Sequence, residues 1–405
     1  MDMAKPTIRF KGYQDDWEQR KLGDVVEDYV EKTTVEDQYP VLTSSQRKGI
    51  VLQDDFFAGD RVNQNGNIGY FIIPRGYFAF RSRSDNDVFV FNRNDAVDMG
   101  IISYFYPVFK PRGVDSDFLL RRLNYGLEDQ IKINSEGTGQ HVLSLKKFKN
   151  MIGLFPSYEE QKKIGSYFSQ IDHLITLHQR KCDETKRLKK YMLQKMFPQN
   201  GEKVPEIRFS GFTDDWEQRK LGDIGKARSG VGFPDAEQGG VTGIPFFKVS
   251  DMNLDGNENE MTVANNYVTA EQIAVHRWSP ITELPAIFFA KVGAAVMLNR
   301  KRLCRFPFLL DNNTMAYSLS STKWDADFAK ALFGTVDLTS LVQVGALPSY
   351  NARDVESMEI YLPSLLEQEQ IGGFFKQLDT LITLHQRELE NLQNIKKFML
   401  GKMFV

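Results

Sequence analysis

Basic side chains and amides cluster at several predicted turns of this sequence. An arginine fork suits bidentate contact with guanine edges or phosphates, and an asparagine or glutamine amide suits adenine. Taken singly, such a cluster is typical of a solvated turn, but its recurrence in loops of both halves of the chain favours contact with DNA. The residues concerned are Gln46, Arg47, Lys48, Arg81, Arg83, Gln140, Lys146 and Lys147, and then Asn299, Arg300, Lys301, Arg302 and Asn351.

Motifs of catalysis are missing from the sequence. It has no glycine-rich phosphate loop, no HExxH pair, no nucleophile elbow and no Asn/Asp-Pro-Pro-aromatic tetrapeptide of the kind that amino methyltransferases use. Glu184 and Lys186 match only the tail of a nuclease motif, without an upstream carboxylate at the right spacing. We therefore expect no catalytic residue and no metal site in this chain.

Composition limits the class of protein. The 405 residues carry a formal net charge of −2, so DNA contact would depend on local basic patches. The two cysteines, Cys182 and Cys304, are too few for a disulfide framework and suit a reducing cytosol. The longest apolar stretch, 285–298, is broken by Lys291 and is too short to span a membrane. We expect a cytoplasmic protein of two or three folded domains.

An internal repeat organises the elements that carry these turns. Residues 5–24 return as 204–223 with 15 of 20 positions identical, and 155–197 return as 362–404 without a gap. Between these shared blocks lie two middle segments, 25–154 and 224–361, which show no recognisable identity. The frame is preserved while the inserted segment is exchanged, which simple duplication followed by drift would not produce.

The second shared block has the heptad spacing of a coiled coil. Its Pro-Ser start predicts two helices, one in each copy, of about 40 residues and roughly 60 Å. Two equal units on a two-fold frame favour antiparallel pairing. We interpret the histidines of this seam as polar residues that set the register; metal binding or sensing is the alternative. The seam is predicted to contain Ile164, Phe168, Ile171, Ile175 and His178, with Ile371, Phe375, Leu378, Ile382 and His385.

A second apolar row flanks the predicted seam and indicates a further helical partner. It consists of Leu174, Leu177 and Leu188 in one helix and of Leu381, Leu384 and Ile395 in the other.

Both middle segments alternate β-type runs with turn signals. The runs are 67–80, 87–91 and 101–109 in the first segment, and 243–251, 286–290 and 294–298 in the second. Short helices are predicted at 116–125 and 322–333. Each segment should form a mixed α/β domain with a curved, mainly antiparallel sheet.

Taken together, these motifs resemble the DNA-specificity subunit of type I restriction-modification systems. Two exchangeable segments are each introduced by WEQRKLGD and each closed by a proline-led EQ-x-x-IG helix ending in LITLHQR. The resemblance implies two pseudo-two-fold-related target recognition domains on a long antiparallel coiled coil, each reading half of a split site in double-stranded DNA. It also implies two methyltransferase subunits and motor-nuclease subunits as partners, which would bind S-adenosylmethionine, ATP and Mg.

The resemblance also points to the polar loops that precede each closing helix, 135–148 and 343–354. These loops and the neighbouring turns add Thr138, Lys248, Ser349, Tyr350 and Arg353 to the predicted DNA contacts. The implied domains are 1–154 and 201–361 for recognition, and 155–200 and 362–405 for the helices.

Two interpretations from other classes stay open at this point. One is a scaffolding protein in which two α/β domains bind proteins or sugars and the coiled coil mediates assembly. The other is a standalone nuclease or methyltransferase. Selection from a DNA library by the assembled complex would separate the first from a DNA reader, and activity of the purified chain alone would support the second.

Overall fold

The computed structural model describes residues 6–46, 48–57, 66–85, 88–137, 140–199, 201–319, 323–342 and 348–404. The chain forms two compact units. Unit 1 consists of the residues up to His178 together with those from Glu388, and unit 2 consists of Gln179–Arg387. Each unit therefore contains one divergent middle segment, the beginning of one long helix and the end of the other.

Unit 1 is a mixed α/β structure built mainly from antiparallel strand pairs. Its strands are β1 (Glu18–Lys21), β2 (Val26–Tyr29), β3 (Leu42–Ser45), β4 (Gly49–Leu52), β5 (Phe71–Pro74), β6 (Phe78–Phe80), β7 (Arg83–Ser84), β8 (Phe91–Arg93), β9 (Met99–Ile102), β10 (Val108–Pro111), β11 (His141–Val142) and β12 (Ile152–Phe155). Its helices are α1 (Leu22–Val25), α2 (Gln53–Phe56), α3 (Ser116–Asn124), α4 (Glu128–Asn134), α5 (Leu145–Asn150) and the first part of α6 (Tyr158–Lys195).

Unit 2 is built on a related plan. Its strands are β13 (Glu217–Lys220), β14 (Gly225–Ser229), β15 (Ile244–Phe247), β16 (Tyr267–Val268), β17 (Ala286–Ala290), β18 (Lys301–Cys304), β19 (Leu309–Leu310), β20 (Thr314–Leu319) and β21 (Glu359–Leu362). Its helices are α7 (Leu221–Ile224), α8 (Ala270–His276), α9 (Ala326–Thr335), α10 (Ala352–Glu356) and the first part of α11 (Leu365–Met403). Short 3-10 turns lie at Asp235–Glu237, Val249–Asn253, Ala294–Leu298 and Leu338–Leu341.

The central sheets of the two units have the same antiparallel topology. Their strand orders are β2-β10-β6-β8 in unit 1 and β14-β20-β17-β18 in unit 2. Unit 2 adds a three-stranded sheet, β16-β15-β19, whose β15 and β19 are parallel. The expectation of mixed α/β domains with mainly antiparallel sheets is confirmed.

The repeated blocks of sequence meet at the edge of each unit. In unit 1 the WEQRK segment forms β1, which pairs with β12 so that Glu18 lies opposite Phe155. In unit 2 the same segment forms β13, which pairs with β21 so that Glu217 lies opposite Leu362. The repeated blocks thus close a divergent segment from both sides, which explains why they flank it in the sequence.

Several local predictions are corrected by the structure. The run 294–298 forms a 3-10 turn and not a strand, since Gly293 before it and Asn299 after it both adopt positive φ. Of residues 88–91, the described part of the run 87–91, only Phe91 lies in a strand, because β8 begins there. The run 101–109 divides into the end of β9 and the start of β10. The predicted helices at 116–125 and 322–333 are present as α3 and α9, the latter shifted to Ala326–Thr335.

The two long helices pair in antiparallel orientation within each unit. In unit 1 the ring of Phe168 lies 5.9 Å from that of Phe404, and Asp172 contacts Lys396. In unit 2 Phe197 lies 5.8 Å from Phe375, and Lys189 contacts Asp379. In both units, residue numbers rise along one helix as they fall along the other.

Burial supports the predicted seam. Seven of its ten residues are buried, and the half-buried ones are Ile175, His178 and His385. No group of three or more metal-ligating side chains is present in the described part of the chain, so the histidines gain no support as a metal site. None of the described helices has the length and apolar character that a membrane span requires.

The EQ-x-x-IG motif lies in the first turns of each long helix, and each of its four fixed residues makes a specific contact. Glu160, 1% exposed, accepts two hydrogen bonds from Arg9, at 2.9 and 2.7 Å. Gln161 accepts a hydrogen bond from the backbone N–H of Asp115, and Ile164 is buried in the core. Gly165 packs so closely against α3 that an added Cβ would lie 2.4 Å from an Asp115 carboxylate oxygen.

Unit 2 repeats each contact of this motif. Glu367 pairs with Arg208 at 2.7 and 2.8 Å, and Gln368 accepts from the backbone N–H of Asp325. A Cβ on Gly372 would lie 2.3 Å from an Asp325 carboxylate oxygen. The motif therefore specifies how a helix is attached to its domain, and the divergent segments must both supply the same docking surface.

Candidate nucleic-acid interface

Five of the residues predicted to contact DNA line two adjoining cavities of unit 1. The cavities measure about 400 and 620 Å³ and share lining residues that include Arg81 and Arg83. We call this surface groove 1. The predicted residues that line it are Gln46, Lys48, Arg81, Arg83 and Gln140.

Short strands bring these side chains together from distant parts of the sequence. Gln46 and Lys48 lie in the turn between β3 and β4, where Gly49 adopts a φ of +72°. Such a left-handed conformation is one that glycine accepts without steric cost. Strand β7 pairs with β11, so that Arg83 lies opposite Val142 and Gln140 comes next to the end of β7.

Aromatic rings support the cations of groove 1. The Arg83 guanidinium lies 4.9 Å from the centroid of Phe105, and Lys48 Nζ lies 5.7 Å from that of Phe56. Within the described part of the chain, no carboxylate forms an ion pair with Lys48, Arg81 or Arg83. A ring face orients a cation without cancelling its charge. The groove can therefore present positive charge to a phosphate or a base edge.

Sequence reasoning missed the aromatic wall of this groove. Tyr104, Phe105 and Tyr106 line it, and Tyr104 is 60% exposed. These residues lie in the β-type run 101–109, between the end of β9 and the start of β10. The flanking Ser103 and Pro107 are turn residues, and they are the signal that could have separated a loop from the two strands.

The remaining predicted residues of unit 1 lie outside groove 1. Lys146 is exposed on α5, and Lys147 forms an ion pair with Glu136. Arg47 and Thr138 lie outside the described residues.

In unit 2, two of the predicted residues bind the protein's own backbone. Asn299 donates to the carbonyl of Val336 at 3.2 Å and accepts from Lys301 Nζ and from the Leu338 N–H. Lys301 also donates to the Val336 carbonyl, and burial lowers its pKa to about 8. These two side chains hold the end of the 3-10 turn against the segment that follows α9.

Arg300 and Arg302 flank Lys301 but differ in their surroundings. Arg302 donates to the carbonyls of Asn257 and Lys301, and its pKa is lowered by burial. Arg300 is exposed and donates to the side-chain oxygen of Asn253 at 2.6 Å. Of this group, Arg300 is the residue most accessible to a ligand.

The other predicted residues of unit 2 also make internal contacts. Tyr350 is buried, its hydroxyl donates to the Ala290 carbonyl at 2.6 Å, and burial raises its pKa. Asn351 caps α10 by accepting from the N–H groups of Arg353 and Asp354. Ser349 forms an isolated β-bridge with Val292, and Lys248 Nζ donates a hydrogen bond to Oε1 of Gln238. Arg353 is exposed. Residues 343–347 of the predicted loop lie outside the described residues.

The shared topology of the two central sheets points to one further residue that could contact DNA. Strands β6 and β17 occupy the same place in the central sheets, so Lys291 follows β17 as Arg81 follows β6. The segments after the two strands make a similar backbone contact, because the Leu143 N–H donates to the carbonyl of Ser82, next to Arg81, and the Tyr350 N–H donates to the Lys291 carbonyl. In the sequence, Lys291 stands out only because it interrupts the apolar stretch 285–298.

The chain resembles known proteins in both its sequence and its fold. A family model described as the type I restriction modification DNA specificity domain matches the chain twice, over residues 14–187 and 213–394. The type I restriction enzyme MjaVIII specificity subunit of Methanocaldococcus jannaschii is 24% identical over 295 residues, or 67% of this chain and 65% of that subunit, just under two thirds of its length. The putative MjaX specificity subunit of the same organism is 22% identical over 361 residues, covering 86% and 76% of the two chains.

Two solved structures share the fold. The S subunit of a type I restriction-modification system from M. genitalium superposes with a TM-score of 0.64 at 14% identity, covering 99% of both chains. A chain from a study of complex assembly and conformational transition in the type I R-M system gives a TM-score of 0.51 at 14% identity, covering 96% and 97%.

Proposed function

The chain belongs to the type I restriction-modification DNA specificity family, and from this premise we propose that it selects a bipartite, asymmetric sequence in double-stranded DNA. Each unit reads one half-site. The long helices set the spacing between the half-sites, because α6 and α11 each extend through both units. Related half-sites on DNA are commonly separated by about one helical turn, roughly 34 Å, or a multiple of it.

The observation that carries this proposal is the contrast between a repeated frame and two different surfaces. The central sheets share one topology, and the Arg9–Glu160 pair recurs as Arg208–Glu367. The turns that these frames support differ: groove 1 presents Arg81, Arg83 and Gln140, whereas in the described part of unit 2 the residue that follows the equivalent strand is Lys291. A symmetric frame with two different readers supports recognition of an asymmetric, split sequence.

We further propose that this subunit docks two methyltransferase subunits on its paired helices, and that motor-nuclease subunits join through them. Five of the six residues in the apolar row beside the seam are at least 40% exposed, and Leu177 is half-buried; the exposed ones are Leu174, Leu188, Leu381, Leu384 and Ile395. In an antiparallel pair the same flank of both helices lies on one face, so each unit offers a stripe for a further helix.

Catalysis is assigned to the partners. The chain supplies sequence choice, while S-adenosylmethionine, ATP and Mg bind to the methyltransferase and motor-nuclease subunits. The net charge of this chain, only −2, is consistent with such a division of roles between the subunits. Partner subunits can share the phosphate contacts that determine the affinity for DNA and its salt dependence.

A selection experiment tests the function. The full chain, assembled with the methyltransferase subunits, is incubated with a library of random double-stranded DNA, and the retained molecules are sequenced. We expect two short conserved blocks separated by a gap of constant length. Retention without any sequence preference would contradict the proposal and support the alternative, a scaffolding protein with two ligand-binding α/β domains.

A further inference from the structure

We propose that Gln140 reads an adenine in the first half-site, and that Asp85 is a positioning residue that orients the Gln140 amide. The inference rests on the proposed function and assigns a base-reading residue pair to groove 1. Both side chains line this groove, Gln140 in the smaller cavity and Asp85 in the larger. Both are exposed to a ligand that enters it.

A hydrogen bond joins the two side chains. Gln140 Nε2 donates to Asp85 Oδ1 at 2.9 Å. The bond lies at the end of the short ladder between β7 and β11, where Asp85 follows β7 and Gln140 precedes β11. Because the ladder pairs Ser84 with His141, it holds the two residues at a fixed separation.

The chemistry of this bond fixes which way the amide points. An ionised carboxylate accepts hydrogen bonds and has none to donate, so the nitrogen of the amide must face Asp85. The second N–H of Gln140 and its Oε1 are then presented side by side. This donor and acceptor match adenine N7 and N6, the bidentate contact by which glutamine reads adenine in the major groove.

The surroundings make this arrangement suitable for a DNA ligand. A carboxylate near the phosphates would by itself repel DNA, but Arg81 and Arg83 line the same cavities and offset its charge. A hydrogen bond to an ionised acceptor is also stronger than one between neutral groups, so it can hold the amide ready for the base. Preorganisation of this kind reduces the entropy lost on binding.

The two predicted amide readers of unit 2 do not offer such a pair. The Asn299 side chain both donates to and accepts from groups of unit 2. The Asn351 oxygen accepts two N–H groups at the start of α10. Gln140 therefore differs from them in being held by a side chain at the wall of a cavity.

The test uses the full chain assembled with methyltransferase subunits and the library selection described above. Gln140→Ala should lower discrimination at one A·T position of the first half-site by about 5- to 150-fold, the range for loss of a bidentate contact. Asp85→Ala should lower discrimination at the same position by a smaller factor. The double variant should match Gln140→Ala alone, because a positioning residue acts only through its reader.

A reciprocal exchange provides a gain-of-specificity readout. In the variant Asp85→Asn with Gln140→Glu, the new amide can donate to the new carboxylate and preserve the bond. The glutamate then presents only an acceptor, which suits the N4 amino group of cytosine. We expect the preference at that position to change from adenine towards cytosine, with the second half-site unchanged.

The outcomes separate this inference from the proposed function. If Gln140→Ala leaves every position of a bipartite site unchanged, the inference is overturned while the function stands. Independent, additive effects of Asp85→Ala at another position would also overturn the positioning role. If the unaltered protein enriches no sequence at all, the proposed function itself fails.

Discussion

The Nζ of Lys396 lies 2.6 Å from Oδ1 of Asp172, which joins a seam lysine of α11 to a carboxylate of α6 within unit 1. Unit 2 has the equivalent pair, Lys189 with Asp379. Each carboxylate also binds a cation of its own domain, Arg121 in unit 1 and Lys330 in unit 2. In each unit, one acidic residue of a long helix thus contacts both the other long helix and the domain of that unit.

Removal of the Asp379 charge should destabilise unit 2. Its side chain is 9% exposed and contacts both Lys189 and Lys330. Asp379→Asn therefore removes the carboxylate that pairs with Lys189 and leaves Lys330 with only its longer ion pair to Glu260, at 3.6 Å. Loss of one partner of a buried ion pair costs about 3 to 5 kcal/mol, and less where water reaches the remaining charge. Thermal unfolding of the full chain should show a lower Tm. Asp183→Asn, on the same pair of helices, is the control, and an equal Tm for both variants would contradict this account.

Adjacent glycines in α11 provide a matched test of helix docking. Gly372→Ala places a methyl group 2.5 Å from the backbone nitrogen of Phe328 at the start of α9 and should cost roughly 1 to 3 kcal/mol. Gly373 has nothing within 4 Å of an added Cβ, so Gly373→Ala should be neutral or stabilise the helix by up to about 1 kcal/mol. Denaturant unfolding of the two variants measures the difference. Similar losses for both would show that close approach is not the reason for Gly372.

Repeats and periodicity predicted the frame well, because both are properties of local sequence. The seam, the helix starts and the antiparallel pairing followed from heptads and from the duplicated blocks. The partners of Lys189 and Lys396 could not be predicted in this way. A lysine at a seam position only interrupts the apolar pattern of the heptads, and its ion pair is known only once the facing helix is placed. Groove 1 is similar: Gln46, Arg83 and Gln140 meet only through short strand pairs that carry little periodic signal.

The exposed apolar stripes should control binding of the methyltransferase subunits. Leu174 is 40% exposed, and Leu174→Asp places a charge in the proposed interface of unit 1. Loss of one buried leucine costs about 1.5 to 3 kcal/mol, so affinity should fall at least tenfold. We expect native mass spectrometry to show one methyltransferase subunit fewer, and none after Leu381→Asp is added. His173→Asp, on the neighbouring exposed surface, is the control. Full assembly of the double variant would exclude this docking site.

Lys301 should give unit 2 a distinctive pH dependence. Burial lowers its pKa to about 8, whereas the unfolded chain has the ordinary value of 10.5. Between these values the unfolded state holds a proton that the folded state has lost, so this residue makes stability increase with pH. Lys301→Gln removes that contribution. The Tm of the unaltered chain relative to the variant should therefore increase from pH 7.5 to pH 9.5. A constant or decreasing difference would contradict the assigned burial of a charged lysine.

The central claim is that each unit reads its own half-site, and the selected DNA sequence tests it most directly. The measurement is library selection by the assembled complex carrying Arg81→Ala with Arg83→Ala, compared with a complex carrying Arg300→Ala. We predict that the first change weakens the base preference in only one block of the bipartite site. The second change should weaken it only in the other block, and the spacing between the blocks should stay the same. Changes in both blocks from either variant, or in neither block from both, would contradict the account.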